Sequence, residues 1–344
     1  MNKKFDVVIG NPPYQGEAIG TATHTMPVYH LFMDAAYEVG EKAVLITPAR
    51  FLFNAGYTPK AWNEKMLADP HLTVSHYVPN SDELFPGTDI KGGIAVTYRD
   101  EDYDGEPIGT FTNYPELNTI LHKVVESHEE SIVPAITSSR SYRYTAEMHN
   151  DHPEALSIMS SGEQFKINTR TFQQLSSLYH FEAPGGNQEY VRVYGLAGRA
   201  RAYRWIRSEY LTGPKSFGAY KVVLPAANGS GTLGEALSTP VVVGPQVAVT
   251  QTFITIGCFD DEGTAEACLK YIKSKFTRAL LGVLKITQHN PAKVWKYVPL
   301  QDFTSGSDID WSKPIPEIDQ QLYAKYGLDA DEIAFIEAQV KPMG

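Results

Sequence analysis

Phe5-Asp6-Val7-Val8-Ile9-Gly10-Asn11-Pro12-Pro13-Tyr14 is the stretch on which the fold reading turns. A short apolar run closed by a glycine reads as a buried parallel strand. A polar, proline-rich turn leaves its carboxyl end. Outward from it, Leu31, Phe32, Ala35, Ala36 and Val39 recur at helical spacing and predict a helix from about Met26 to a stop at Gly40. Ala43–Ile46 is a second buried strand, ended by Thr47-Pro48. Leu72–Tyr77 and Gly92–Tyr98 are further strands, the last with Ile94, Val96 and Tyr98 alternating. Strands alternating with helices imply an α/β fold with a mainly parallel sheet.

The chain has 344 residues, 42% of them apolar, which is globular composition and room for two domains. No apolar run is long enough to span a membrane. Met1-Asn2-Lys3-Lys4 is basic, but the polar turn comes too soon after it for a secretory signal. Two cysteines, Cys258 and Cys268, exclude a disulfide framework and point to a reducing cytoplasm. A net charge of −10 argues against blanket attraction to nucleic acid, so any such contact needs a locally positive surface. The histidines, among them His24, His30 and His289, show no metal-ligand spacing and read as structural or surface residues. Asp89 with Lys91 is too common a pairing to mark a nuclease.

The turn suits one kind of chemistry. An exocyclic amine on an aromatic ring is a poor nucleophile, because its lone pair is delocalised. An asparagine side-chain oxygen (Asn11) can accept one amine hydrogen and the Pro12 carbonyl the other. Pro12 and Pro13 fix the backbone, so that carbonyl is aimed in advance. Tyr14 offers a flat face for stacking. Active sites of open α/β sheets lie at the carboxyl ends of strands, where this loop stands. The same residue types also make an ordinary tight turn.

Phe5 through Gln15 resembles the fourth conserved motif of N6-adenine DNA methyltransferases, in particular restriction-modification enzymes of the type IIG kind, which carry methylase and target-recognition regions on one chain. Tyr29-His30-Leu31-Phe32, Ala43–Pro48 and Phe51-Leu52 look like the fifth and sixth motifs, and Leu84 through Gly93 like the eighth. The tail from Ile318 to Glu337 is also similar. The resemblance implies S-adenosyl-L-methionine as methyl donor, with Asn11 touching it as well as the amine. It implies an adenine flipped out of double-stranded DNA and an aromatic against that base, for which Phe85 is the candidate; a core aromatic is the other reading of Phe85. It also implies the C-terminal half of a Rossmann-like methyltransferase sheet over 1–105, a mixed α+β target-recognition domain over 106–314, and a helical tail over 315–344. The acidic, Gly- and Pro-containing loop Glu101–Pro107 marks the first boundary.

In that family the cofactor is held mainly by elements preceding this loop, above all a Gly-rich turn after the first strand. Gly185-Gly186-Asn187 and Asn228-Gly229-Ser230-Gly231 lack the strand-to-helix setting and read as loops. The expectation is a chain incomplete by itself, needing an N-terminal methyltransferase segment or a partner subunit, and inactive alone.

Two segments break the acidic trend. Arg192, Arg199, Arg201, Arg204 and Arg207 alternate with Tyr194, Tyr203 and Trp205, a pattern suited to phosphate contact and stacking. Ser138–Tyr144, with Arg140 and Arg143, is a smaller version. Lys270, Lys273, Lys275, Arg278 and Lys285 lie on a predicted helix from Glu262 to Lys285, interrupted at Gly282; its basic face suits DNA backbone or plain solvent. Two other functions remain. One is a DNA-binding specificity module with a relic loop. The other is a methylase of RNA or of protein amides, against which the long region between Glu106 and Pro314 weighs.

Overall fold

The computed structural model describes residues 3–16, 25–55 and 57–343; Met1, Asn2 and His24, named above, lie outside them. The chain divides into two compact units, Met1–Glu126 and Ser127–Gly344. It is a mixed α/β protein with several sheets. No described helix is long and apolar enough to cross a membrane.

The first unit contains β1 (Phe5–Gly10), α1 (Tyr29–Val39), β2 (Gly40–Pro48), α2 (Lys60–Leu67), β3 (Leu72–Val78), β4 (Ile94–Asp100) and α3 (Pro115–Glu126). Its sheet runs in the order β1-β2-β4-β3. β1 and β2 are parallel, and α1 supplies the crossover that parallel neighbours require. β4 is antiparallel to both β2 and β3. The sheet is therefore mixed, not mainly parallel. β3 returns through the 79–93 loop, which holds only a single 3-10 turn at Ser81–Glu83, and an antiparallel return needs no crossover helix.

One face of this sheet is filled by Met33, Ala36 and Tyr37 of α1, by Phe51 and Leu52, and by Trp62 and Met66 of α2. The α1 stripe is displaced from the expected one: Leu31, Phe32 and Ala35 point outward. Tyr29 and Tyr37 take the inner positions, the Tyr29 ring against Phe51 and Trp62 and the Tyr37 ring under Arg99 of β4. Gly40 leaves no room for a Cβ, since Val8 Cγ2 would lie 2.7 Å from it. Only Val8 of β1 turns to this core. Phe5, Val7 and Ile9 are 56%, 47% and 77% exposed, so β1 is an edge strand with an open apolar face and not the buried strand expected. The register sets Ile9 beside Val44 and Val44 beside Tyr98, continuing that face across the sheet.

The second unit opens with β5 (Ile136–Thr137), β6 (Arg143–Tyr144) and three short helices, α4 (Ala146–Asp151), α5 (Ala155–Ile158) and α6 (Thr171–Gln174). Then come β7 (Tyr190–Ala197), β8 (Ala200–Arg207), β9 (Leu211–Thr212), β10 (Tyr220–Pro225), β11 (Val241–Val243), β12 (Val247–Val249) and β13 (Phe253–Phe259). They form sheets β11-β10-β13-β5, β12-β7-β8 and β6-β9. Tyr142 and Tyr144, from the smaller basic segment, are core residues here, packed with Val193, Ile206 and Phe253.

The long helix is two, α7 (Glu262–Lys273) and α8 (Lys275–Leu284), divided at Ser274 and not at Gly282. Ser274 is extended, and its hydroxyl accepts from Thr277 N to cap α8. α9 (Ile315–Lys325) and α10 (Ala330–Gln339) close the chain, with the expected capping box between Asp329 and Glu332. Asp319 of α9 accepts from the amides of Lys275 and Phe276, and so pins α9 to the start of α8. Both closing helices lie within the second unit.

Candidate active site

The Asn11–Tyr14 loop leaves β1 at its carboxyl end and is held beyond it by backbone pairing. Val28 N donates to Tyr14 O at 3.1 Å and Gly16 N to Met26 O at 2.9 Å. Gln15 bridges Pro27, and Thr25 Oγ1 donates to Gln15 Oε1 at 2.8 Å. With its far end fixed, the loop presents Asn11 and Pro13 to solvent while Pro12 and Tyr14 are half-buried.

A cleft of about 480 Å³ opens beside Tyr14. This is the size range of small-molecule sites. Tyr14, Gln15, Tyr29 and Pro48 line it. Arg50, Tyr57, Asp89 and Ile90 complete it. Arg50 stands just past β2, in the 3-10 turn Ala49–Phe53. Its Nε donates to the Lys91 carbonyl at 2.6 Å, tying the β2 end to the 79–93 loop. No bond from its terminal nitrogens is found among the described residues. Gly92 and Gly93 take positive φ, and a Cβ on Gly93 would meet the Val78 carbonyl at 2.3 Å, so this loop needs glycine to come so close.

Burial pushes the Tyr14 phenol above its ordinary range; the nearby Asn11 side chain offsets part of this without a bond of proper distance and angle. Burial also raises Tyr29 to about 12, against weaker opposing effects of Thr58 and Arg50. Both phenols are neutral at physiological pH and act as rings and hydrogen-bond donors. The loop thus offers the Asn11 amide oxygen and the Pro12 carbonyl, and the cleft beside it aromatic faces, the Arg50 guanidinium and the Asp89 carboxylate. That set can hold a planar heteroaromatic ring and accept hydrogens from its amine.

Of the residues expected here, Tyr14 lines the cleft, with Asn11, Pro12 and Pro13 on the same loop. Phe85 does not line it. Phe85 is half-buried in a turn where its amide bonds Ser81 O and its carbonyl takes Thr88. From that loop Asp89 and Ile90 reach the cleft instead. Sequence reading missed Arg50 and Tyr57. Arg50 had a signal, a cation just past the carboxyl end of a parallel strand; Tyr57 had none. Residues 185–187 and 228–231 are loops, the second closed by Glu235, which accepts from the amides of Ser230 and Gly231. Among the described residues no group of three or more His, Cys, Asp or Glu converges as a metal site.

In the second unit the basic residues divide sharply. Arg192 and Arg199 sit on the β7–β8 hairpin, Arg199 exposed at its turn. The Arg192 guanidinium lies over the rings of Tyr203 (5.0 Å) and Trp205 (5.7 Å). Arg204 shares the hairpin. Arg201 is bound by the carbonyls of Ser238 and Thr239, and Arg207 by Asp151 and Glu209. Arg278 corrects the expectation of a solvent-facing helix cation: it is 2% exposed and donates to the carbonyls of Lys273, Ser274, Gly234 and Lys341. Lys273 lends its carbonyl to that cluster. Lys270 bonds the carbonyls of 311–313, and Lys285 is buried against Glu235. Helical periodicity showed these cations on one face; the loops and α9–α10 then cover that face.

The proline-stiffened loop stands at the carboxyl end of a parallel strand, with the cleft beside its Tyr14. Residues 1–85 match the family model of the Eco57I restriction-modification methylases. A curated relative, described as an uncharacterized adenine-specific methylase from Mycoplasma pneumoniae, is 28% identical over 108 residues. That stretch covers 30% of this chain and 26% of the relative. Among solved structures, the type IIG restriction endonuclease BpuSI aligns with 97% of this chain and 53% of its own, at 11% identity and a TM-score of 0.32. The type IIL restriction-modification enzyme MmeI, solved in complex with DNA, aligns with 97% and 56%, at 9% identity and a TM-score of 0.30. The chain thus spans about half of these two proteins and about a quarter of the curated relative.

Proposed function

We propose that this chain is the catalytic-loop and recognition portion of an adenine-specific DNA methyltransferase of a restriction-modification system, acting in the cytoplasm. The observation that carries the reading is the Asn11–Tyr14 loop, pinned at its far end and opening on the cleft at Tyr14. The methylase match over 1–85 supports it. In this reading an adenine leaves the duplex and stacks on Tyr14. The Asn11 side-chain oxygen and the Pro12 carbonyl accept its two N6 hydrogens, which turns the nitrogen lone pair out of the ring. S-adenosyl-L-methionine, when bound, supplies an electrophilic methyl group. Asn11 and Pro12 would hold the amine through its hydrogens while N6 accepts that methyl group, and the proton that N6 then loses would pass to solvent at the exposed Asn11. Arg50 holds an anionic group of the incoming nucleotide at the cleft.

Residues 1–105 are then the C-terminal half of a Rossmann-like sheet, 106–314 recognise double-stranded DNA, and 315–344 form a helical tail. The bare face of β1 supports a further point. Phe5, Val7 and Ile9, continued by Val44 and Tyr98, form an apolar surface suited to a cofactor-binding segment or subunit. Among the described residues Asp89 is the one acidic side chain that lines the cleft, which fits a cofactor held mostly by such a segment. The chain alone is therefore inactive. The test is transfer of labelled methyl from S-adenosylmethionine to duplex DNA, with and without a cofactor-binding segment of an Eco57I-family methylase in trans. Turnover by the chain alone overturns the partial-enzyme reading. A DNA-binding module with a relic loop is distinguished by Asn11→Ala, which leaves any transfer by the assembled protein unchanged only if the loop is idle.

A further inference from the structure

Phe181 stands out among the aromatic residues because it is 79% exposed yet not loose. His180, next to it, exchanges two backbone bonds with Trp205, each 2.8 Å, so the segment adds a rung to the outer edge of β8. That rung places the Phe181 ring under Arg204, whose guanidinium lies 4.0 Å from the ring centroid. Arg204 Nη1 is itself tied to the Tyr203 carbonyl at 2.7 Å. It also reaches over Phe172, a core residue, at 5.7 Å. One ring face is thus covered by an anchored cation and the other is left to water.

We propose that Phe181, braced by Arg204, is a stacking wedge that inserts at a base step of bound duplex DNA. This rests on the reading of the second unit as DNA-binding. An exposed phenylalanine has no hydrogen bond to offer, so it gains only by being covered, and a ring held flat under a cation is best covered by a stacked ring. A guanidinium behind it holds the ring by cation–π attraction and adds positive charge where a polyanion approaches. Arg192, over Tyr203 and Trp205, belongs to the same hairpin. Apolar wedges of this kind unstack a step and kink the duplex. The assignment also gives Arg204 a different part from Arg199: it positions a ring instead of holding a phosphate.

The experiment is titration of a mixed-sequence duplex carrying 2-aminopurine at scattered positions, with the full chain and with Phe181→Ala, Phe181→Trp and Arg204→Met. Wild type is expected to raise 2-aminopurine fluorescence as a step unstacks. Phe181→Ala is expected to lose that rise and bind on the order of tenfold more weakly, the scale of one base–aromatic stack. Its salt slope stays unchanged, because no charge is lost. Phe181→Trp restores both signals, and Arg204→Met lowers both. Unchanged affinity and fluorescence in Phe181→Ala, with wild type binding DNA normally, overturns the wedge alone. If wild type binds no duplex, the DNA reading falls and the wedge with it. Phe181→Ala changes an exposed side chain, so an unaltered thermal melt confirms that the fold is not the cause.

Discussion

The β1 edge of the first unit and the β7–β8 hairpin of the second both expose large apolar side chains, but of different kinds. On β1 they are mostly aliphatic, Phe5, Val7 and Ile9, and the cation in register with Val7, Lys42, is paired with Asp100 and lies over none of them. On the hairpin they are rings, and each has a guanidinium beside it: Tyr203 and Trp205 with Arg192, Phe181 with Arg204. Branched aliphatics gain only from exclusion of water, which fits a protein surface. Rings under cations gain from stacked bases and phosphates. On the proposed reading, the difference separates a face suited to polypeptide from one suited to nucleic acid.

The largest effect expected is at the loop between β1 and the cleft. Asn11→Ala should lower methyl transfer by the assembled protein by on the order of a hundredfold or more, the scale for loss of one preorganised hydrogen-bonding group. DNA affinity should stay near wild type, measured by filter binding beside the transfer assay. Next comes a contrast within the basic residues. Arg278→Ala should cost roughly 3 kcal/mol in denaturant unfolding, because it strands buried carbonyls that Arg278 satisfies. Arg199→Ala should leave unfolding unchanged, weaken DNA binding a few-fold and reduce the salt slope by about one. If Arg278→Ala moved the slope at unchanged stability, the division into interior and DNA-facing cations would fail.

Lys221 on β10 offers a pH test of the same division. It is fully buried, and burial lowers its ammonium from 10.5 to about 8. Below pH 8 both folded and unfolded chains hold the proton, and the folded state bears the whole cost of the buried charge. Above pH 8 the folded state releases it while the unfolded state keeps it. Unfolding free energy should therefore rise between pH 8 and about 10, before buried tyrosines such as Tyr144 oppose the trend. Lys221→Met should remove the rise. The smallest effect is at the edge strand: Ile9→Glu should change the stability of the chain by no more than about 0.5 kcal/mol. The same substitution should block rescue by the cofactor-binding segment. Full rescue would show that the β1 face is not where that segment binds.

Local signals were legible where local physics decides. The strand at Phe5–Gly10, its polar loop, the crossover helix and the Asp329–Glu332 cap depend on neighbours a few residues apart. The burial of each face was not. Periodicity placed Leu31 and Phe32 on the inner stripe of α1, yet Tyr29, Met33 and Tyr37 take it, because the sheet that defines inside comes from distant strands. The basic helix failed in the same way. A row of lysines and arginines looks solvent-facing until Gly234, Lys341 and α9 close over it.

The Asn11–Tyr14 loop is where the two levels meet. The sequence by itself determined the groups it can offer, because an amide, a stiffened carbonyl and a ring within four residues are fixed by covalent structure. Tertiary structure decided what surrounds it. Arg50, Tyr57, Asp89 and Ile90 line the cleft with Tyr14 from segments far apart in the chain, and Phe85 does not line it. It also decided that β1 is an open edge and not a buried strand. Burial depends on which strands lie alongside, and hydrophobicity states only that a residue gains by being covered, not by what.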